Sequence, residues 1–220
     1  MYKRLNPITP LSTKISDNWW EIAEKTCLVA YQPKGAASLL LSKENVANPG
    51  TYDAVAGDNS FPQLTSAGWE CISSPPASAI CQIPISSIGT VAIRASDWIN
   101  VASQEILFGA YEPTNRFYIF WDGVNTIRFR RGSTALSVSF SPSDDVYVIA
   151  GQEAYLNGTS YGTIPNAGDP AQTGISFNGA KYNGGAPTNE TIVTFKAISI
   201  YSEYLSPPEV VELTTRMAAI

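Results

Sequence analysis

Apolar and polar residues alternate most clearly over residues 105–131, and this stretch predicts three β-strands joined by two turns. The predicted strands cover residues 106–110, 117–121 and 126–130. In the third strand Ile127 and Phe129 alternate with arginines, so a period of two places the apolar pair on one face of a sheet. The second strand is apolar throughout, which indicates a central strand covered on both faces or a face that binds a partner.

The same kind of pattern recurs at short intervals along the chain. Further strands are predicted at residues 27–31, 89–99, 133–140, 146–150, 174–178 and 191–202. Residues 154–161 form a predicted hairpin, because the pair Asn157-Gly158 suits a type I′ turn. Ser206 is the predicted cap of a closing helix that runs to Met217. Regularly spaced strands with helices only at the ends predict an all-β fold, an antiparallel jelly-roll sandwich.

Three segments give weaker local predictions. Residues 37–41 are expected to form a strand within a loop-rich region, and residues 69–72 and 79–83 are expected to pair as a hairpin. In that hairpin Cys71 and Cys81 would face each other, either bonded or as two buried thiols, and cytoplasmic synthesis favours the thiols.

The N-terminal segment predicts an anchor that is distinct from the sandwich. Residues 1–15 contain two prolines and indicate an extended arm, and residues 16–25 predict a short helix. We therefore divide the chain into an arm and helix at residues 1–26, for anchoring or oligomer contact, and a jelly-roll domain at residues 27–220. The apolar residues expected to dock on a partner are Tyr2, Leu5, Ile8, Leu11, Trp19 and Trp20. The alternative is a disordered arm, with the tryptophans packed on the β domain.

Composition removes several classes of function. The chain has no histidine, so a Ser-His-Asp or Cys-His catalytic site is excluded within it. The net charge of −5, with no basic tract, argues against nucleic-acid binding. No apolar stretch is long enough to insert into a membrane, and no signal peptide is visible, so synthesis in a cytoplasm is expected.

Residues 27–217 resemble the concanavalin A-like, laminin-G-like jelly-roll modules. The resemblance rests on "LVAY" at 28–31, "GWE" at 68–70, the meander at 106–132, "VYVIAGQEAYLNGTSYG" at 146–162 and "FKAISIYSEYLSPPEVVEL" at 195–213. The wording "FGAYEPTNRFYI" at 108–119, together with the arm, is similar to modules in structural proteins of tailed bacteriophages.

Two groups of side chains in this sequence could contact a ligand or a partner. Glycan binding would use an aromatic platform with polar neighbours, and the candidate residues are Tyr111, Asn115, Arg116, Tyr118, Trp121 and Asn125. The alternative, which we favour for the aromatic residues, is that they belong to the core. Arg128 and Arg130 are candidates for contact with acids of another subunit, or else form a solvated face.

Carboxylates give no equally good pattern. The closely spaced acids that glycan hydrolases of this fold carry on one strand are missing, and Asp144-Asp145 are expected to set a turn. No cofactor or metal is expected; calcium, with Asp53, Asp58, Asp122 or Asp169 as ligands, is the less favoured alternative.

These observations predict a non-enzymatic structural protein of a phage virion, such as a tail or head fibre or a decoration protein. Its partners would be other virion proteins, bound through the N-terminal arm, and further copies of itself. The alternative is a lectin-like module that binds glycans of a host surface. A glycan hydrolase is the third interpretation.

Overall fold

The computed structural model describes residues 18–57, 60–72, 77–99, 105–111, 115–122, 124–165, 168–171, 173–182, 187–188 and 191–220. Side chains at 111, 180–182 and 187–188 lie outside this description. The strands are, in chain order, β1 (Cys27–Tyr31), β2 (Val55–Ala56), β3 (Gln63–Leu64), β4 (Trp69–Cys71), β5 (Ala79–Pro84), β6 (Thr90–Ile99), β7 (Glu105–Tyr111), β8 (Arg116–Trp121), β9 (Thr126–Gly132), β10 (Ala135–Ser139), β11 (Asp145–Ala150), β12 (Glu153–Leu156), β13 (Thr159–Thr163), β14 (Thr173–Phe177), β15 (Ala180–Tyr182), β16 (Pro187–Thr188) and β17 (Ile192–Tyr201). The helices are α1 (Leu39–Lys43) and α2 (Pro207–Ala218), with a 3₁₀ turn at Ile85–Ser87.

Two sheets form the sandwich within the described residues. Sheet A has eight strands in the order β13-β12-β11-β6-β17-β4-β3, with β1 also paired to β17. Sheet B has nine strands in the order β10-β9-β8-β7-β14-β5-β2, with β15 and β16 added beside β7. The pairs are antiparallel except β15 with β7. The predicted antiparallel jelly-roll sandwich is therefore confirmed.

The main core lies between the two sheets. Its largest fully buried side chains include Trp69, Tyr31, Tyr147, Phe108, Phe117, Phe129, Phe177 and Phe195. The alternation expected in β9 is present: Ile127 and Phe129 are buried and Arg128 is exposed. This pattern follows from the pleat, which sends successive side chains to opposite faces.

The outer face of sheet A is covered by a second apolar layer. Residues 18–26 and α2 pack on it, and Trp19, Val148 and Leu213 belong to one buried cluster there. The predicted start of α2 is confirmed, since Glu209 accepts a hydrogen bond from the Ser206 backbone N–H at 2.6 Å. No helix in the described part of the chain is long and apolar enough to cross a membrane.

The predicted helix at residues 16–25 is not formed in its described part. Residues 18–26 make two successive turns, closed by Glu21 N to Asn18 O and Lys25 N to Ile22 O, both at 3.1 Å. Glu24 has a φ of 62°, which ends any helical path. Trp19 is buried on sheet A, and its indole N–H donates to Gln32. Tertiary packing of Trp19 and Ile22 outweighs local helix propensity here, and Trp19 is no longer accessible to a partner.

Residues 37–41 were expected to form a strand, but Leu39–Lys43 form α1, which Ser38 caps through the backbone N–H of Leu41. The expected hairpin at 69–72 and 79–83 is also wrong. Its strands belong to different sheets, because β4 pairs with β17 and β5 with β14. Cys71 and Cys81 are both buried in the core and are not joined by a disulfide. Alternation alone does not reveal which sheet a strand joins.

Two predicted turns, at Asn157-Gly158 and at Asp122, have the geometry that their residues require, whereas the turn predicted between residues 110 and 117 lies largely outside the described residues. Asn157 and Gly158 have φ values of 51° and 77°, as a type I′ hairpin requires. In the loop after β8, the Asp122 carboxylate accepts hydrogen bonds from the backbone N–H groups of Val124, Asn125 and Thr126 at 3.0–3.1 Å. Asp122 is thus committed to the turn, as its position in the sequence predicted.

Candidate functional site

The six residues predicted for glycan contact do not share one surface. Trp121 is 6% exposed and lies in a core cluster of aromatic rings, with its ring centroid 5.6 Å from that of Trp98. Asn125 is exposed beside the Trp121 end of β8. Asn115 and Arg116 lie at the other end of the strand and are half-buried. The side chain of Tyr111 is outside the described residues.

Tyr118 lies on the outer face of sheet B, together with the arginines. We call this surface the arginine face: it carries Ile106, Arg116, Tyr118, Phe120, Arg128 and Arg130. The Arg128 guanidinium is 5.4 Å from the Phe120 ring centroid, and that of Arg130 is 5.7 Å from Tyr118. Tyr118 and Phe120 are only 8% and 7% exposed, so the accessible groups are guanidiniums rather than bare rings.

Arg131 belongs to a different place from its neighbours in sequence. It shares the inward direction of Ile127 and Phe129, and only 6% of its side chain is exposed. Its guanidinium binds both carboxylate oxygens of Asp169 at 2.7 and 2.8 Å. The alternation along β9 carried the signal for this: an arginine in register with core residues needs a buried acidic partner.

Arg131 also ties together the end of the sandwich. It donates to the carbonyls of Ile88 (2.5 Å), Gly89 (3.0 Å) and Gly151 (3.4 Å). These carbonyls flank strands of sheet A, whereas Arg131 comes from sheet B. A charged side chain that is this well paired can remain buried, and it fixes Asp169 in position.

A cleft of about 250 Å³ opens beside this ion pair. We call it the Tyr204 cleft; its lining residues are Ser86, Ile88, Gly89, Arg131, Asp169, Ser202, Glu203 and Tyr204. Tyr204 is 64% exposed at the rim. Its ring packs on the backbone of Gly151, where an added Cβ would approach ring carbons to 3.2 Å. The cleft therefore joins an exposed aromatic ring to polar walls.

Glu203 supplies the second carboxylate of the Tyr204 cleft. It accepts hydrogen bonds from the Ser202 hydroxyl at 2.8 Å and from the Thr26 backbone N–H at 3.1 Å. The bond from Ser202 is the main cause that lowers the pKa of Glu203 below its usual range. Glu203 is therefore ionised near neutral pH and acts as a hydrogen-bond acceptor.

A second cleft, of about 370 Å³, lies between Trp98 and Lys196. At its rim Asp144 pairs with Arg94 at 2.7 Å and with Lys196 at 2.8 Å. Burial opposes ionisation of Asp144, but the hydrogen bonds from both cations outweigh it and lower the pKa to about 2. Asp144, Arg94 and Lys196 therefore each already have a partner of opposite charge. Asp145, as expected of a turn-setting acid, accepts from the Ser143 backbone N–H at 2.9 Å.

The acids considered for calcium are engaged elsewhere or lie outside the described residues. Asp53 accepts from the Asn45 backbone N–H at 2.9 Å, Asp122 holds its turn and Asp169 pairs with Arg131. Asp58 is outside the described residues. In the part of the chain that is described, no cluster of three or more metal-ligating side chains occurs.

The sequence matches no known family profile and no characterised protein. The fold, in contrast, has solved relatives. Trypanosoma rangeli sialidase in complex with sialic acid aligns with a TM-score of 0.59 at 14% identity, over 86% of this chain and 32% of the sialidase. The receptor binding domain of botulinum neurotoxin D gives a TM-score of 0.59 at 14% identity, over 86% of this chain and 52% of that domain.

A third solved structure, the binding domain of botulinum neurotoxin DC in complex with SialylT, gives a TM-score of 0.55 at 9% identity. The alignment includes 87% of this chain and 52% of that binding domain. The chain thus spans about half the length of the neurotoxin domains and about a third of the sialidase. At these identities the likeness is one of fold, the lectin-like β-sandwich.

Proposed function

We propose that this domain binds glycans without cleaving them, and that the Tyr204 cleft is the binding site. The observation that carries the proposal is the 64% exposed Tyr204 ring beside a carboxylate that Arg131 holds in place. Sugars bind through such pairings, because a ring covers their C–H face while fixed acceptors receive their hydroxyl protons.

The acceptors of the Tyr204 cleft suit hydroxyl groups rather than anions. Asp169 and Glu203 are carboxylates, and Ser86 and Ser202 add hydroxyls on the walls. The N–H groups of Arg131 already donate hydrogen bonds to Asp169 and to backbone carbonyls, so the cleft offers few hydrogen-bond donors for an acidic ligand. A hydroxyl-rich, uncharged sugar is therefore the ligand that these groups recognise best.

The fold neighbours support glycan binding over a virion role, but their named ligands are acidic sugars, so the preference for an uncharged sugar rests on the Tyr204 cleft alone. One is a sialidase in complex with sialic acid, and another is a toxin binding domain in complex with SialylT. The same neighbours raise the question of hydrolysis. Glycoside cleavage requires a carboxyl group that remains protonated to act as the acid. Glu203 has a lowered pKa, which supports binding without catalysis.

The test is a glycan array probed with the full chain, followed by calorimetry on the best neutral ligand. We expect Tyr204→Ala to weaken binding at least about tenfold, as truncation of an aromatic anchor does. Tyr204→Phe keeps the ring and should bind nearly as well as the unaltered chain. Tyr161→Ala is the matched control, since Tyr161 is also exposed, at 40%, but lies on β13.

Two results would overturn the proposal. One is an array with no bound glycan, and the other is a glycan whose affinity is unchanged by Tyr204→Ala. Thermal melting of each variant shows whether a loss of binding reflects a loss of folding.

The role as a structural virion protein stays a prediction from the sequence. Docking on other virion proteins would use residues 1–26, of which residues 1–17 lie outside the described part of the chain. Homo-oligomer formation and location in a virion are proposals of the same kind. Deletion of residues 1–17 should abolish incorporation into particles if the arm is the anchor, and normal incorporation would refute it.

A further inference from the structure

We infer that the arginine face is a second binding site, separate from the Tyr204 cleft, and that it takes an acidic polysaccharide. The face is the outer surface of β8 and β9, where Arg128 and Arg130 lie over aromatic rings. This second site goes beyond the proposed function because it uses other residues and recognises a negatively charged ligand instead of an uncharged sugar.

The arginines of this chain differ in whether they pair with an acid. Arg94, Arg131 and Arg216 each bind a carboxylate, of Asp144, Asp169 and Glu212 respectively. Arg128 and Arg130 make no ion pair within the described residues, although the chain carries a net charge of −5. In a chain with excess acid, cations left without an acidic partner on one face indicate a surface for an external anion.

Arg130 is held in a fixed orientation on the arginine face. Its guanidinium donates to the carbonyl of Gly132 at 2.9 Å and to the hydroxyl of Tyr118 at 3.3 Å, and it also reaches the carbonyl of Ser133. These partners are neutral, so they orient the charge without cancelling it. Arg128 is exposed and contacts the Phe120 ring, which likewise leaves its charge intact.

The charges of the arginine face are arranged along the strand direction. Arg128 is opposite Phe120, and Arg130 is opposite Tyr118 on the neighbouring strand. The rows are about 7 Å apart, since a strand rises ~3.4 Å per residue. Charges stepped along a line match a polymer that carries repeated acidic groups better than they match a single ion.

A second copy of this chain is the less suitable occupant. In a two-fold contact the same surface meets itself, so Arg128 and Arg130 would oppose the arginines of the other copy. Like charges that face each other across an interface are destabilising. Sheet A, in contrast, has its outer face covered by α2 and residues 18–26. Among the described residues no helix covers the arginine face, and its charge selects an acidic partner.

The experiment measures binding of the full chain to polygalacturonate and to its fully methyl-esterified form. The two polymers share one backbone, and only the first is charged. We expect binding to polygalacturonate at low salt, weakening as sodium chloride is added, and none to the ester. Arg128→Gln should lower the affinity about tenfold, the effect of losing one charge-assisted hydrogen bond. Arg128→Lys should fall between, because lysine keeps the charge but loses the planar fork.

Lys25→Gln is the matched control, because it removes one positive charge beside Glu209, on the side of the molecule that α2 covers. It should leave the affinity unchanged, and so should Tyr204→Ala, which separates this site from the Tyr204 cleft. Poly-L-glutamate tests the other class of acidic partner. The inference is overturned if poly-L-glutamate binds as tightly as polygalacturonate, if the ester binds equally well, or if Arg128→Gln has no effect.

Discussion

Arg131 links the two sheets at the end of the sandwich, so its removal should lower the free energy of unfolding. Its side chain is 6% exposed and that of Asp169 is 25% exposed. Loss of one partner from a buried, hydrogen-bonded ion pair costs ~3–5 kcal/mol of unfolding free energy. Because Asp169 is partly accessible to water and can be rehydrated, we place Arg131→Ala at the lower end, about 3 kcal/mol.

The measurement is urea denaturation followed by tryptophan fluorescence, with the slope of the transition compared between variants. Arg128→Ala is the control, since Arg128 lies on the same strand but is exposed on the opposite face. Its cost should be no more than ~0.5 kcal/mol, as for ordinary surface substitutions. If Arg131→Ala destabilises the domain no more than Arg128→Ala does, Arg131 is not the link described above.

Two further predictions concern the sheets. Asp144 has its pKa lowered from 3.8 to about 2, so it stabilises the fold above ~pH 4 and this contribution is lost as the pH falls toward 2. The shift corresponds to ~2.5 kcal/mol before screening and ~1 kcal/mol after it, because the side chain is 39% exposed. Asp144→Asn should therefore flatten the acid limb of a stability profile measured by urea titration; an unchanged limb would contradict this. Gly109→Ala should cost ~1–3 kcal/mol, because the new Cβ would lie 2.6 Å from the Tyr118 Cβ and 2.8 Å from the Phe117 carbonyl oxygen. A melting temperature equal to that of the unaltered chain would show that the two strands can separate at no cost.

Strands and turns were predicted well because their signals are local. The strands at 106–110, 117–121 and 126–130 are all present as parts of β7, β8 and β9. The turn at Asn157-Gly158 and the start of α2 at Ser206 depend on residues within a few positions of each other. Hydrophobic alternation and capping chemistry act over these same short distances, so one sequence contains the necessary information.

The failures concern segments whose structure depends on distant partners. Residues 18–26 form turns because Trp19 and Ile22 pack into a buried cluster whose other members include Val148 and Leu213, more than a hundred residues away in sequence. The strands that contain Cys71 and Cys81 joined different sheets because β17 and β14 supplied their partners. Which sheet a strand joins, and whether a segment keeps its helix, depends on contacts with distant residues, and local secondary-structure propensity does not encode these contacts.

Residues 105–131 show the same difference between local and long-range information at the level of single residues. Alternation along residues 126–130 determined by itself that Arg128 and Arg130 share one face, whereas the inward direction of Arg131 emerged only with the full extent of β9. Only the tertiary structure decided what each face meets. Folding left Arg128 exposed and Arg130 half-buried on the outer face of sheet B, brought Asp169 to Arg131, and placed Tyr204 at the rim of the same cleft. A strand specifies directions, but the partners in those directions come from elements far apart in the chain.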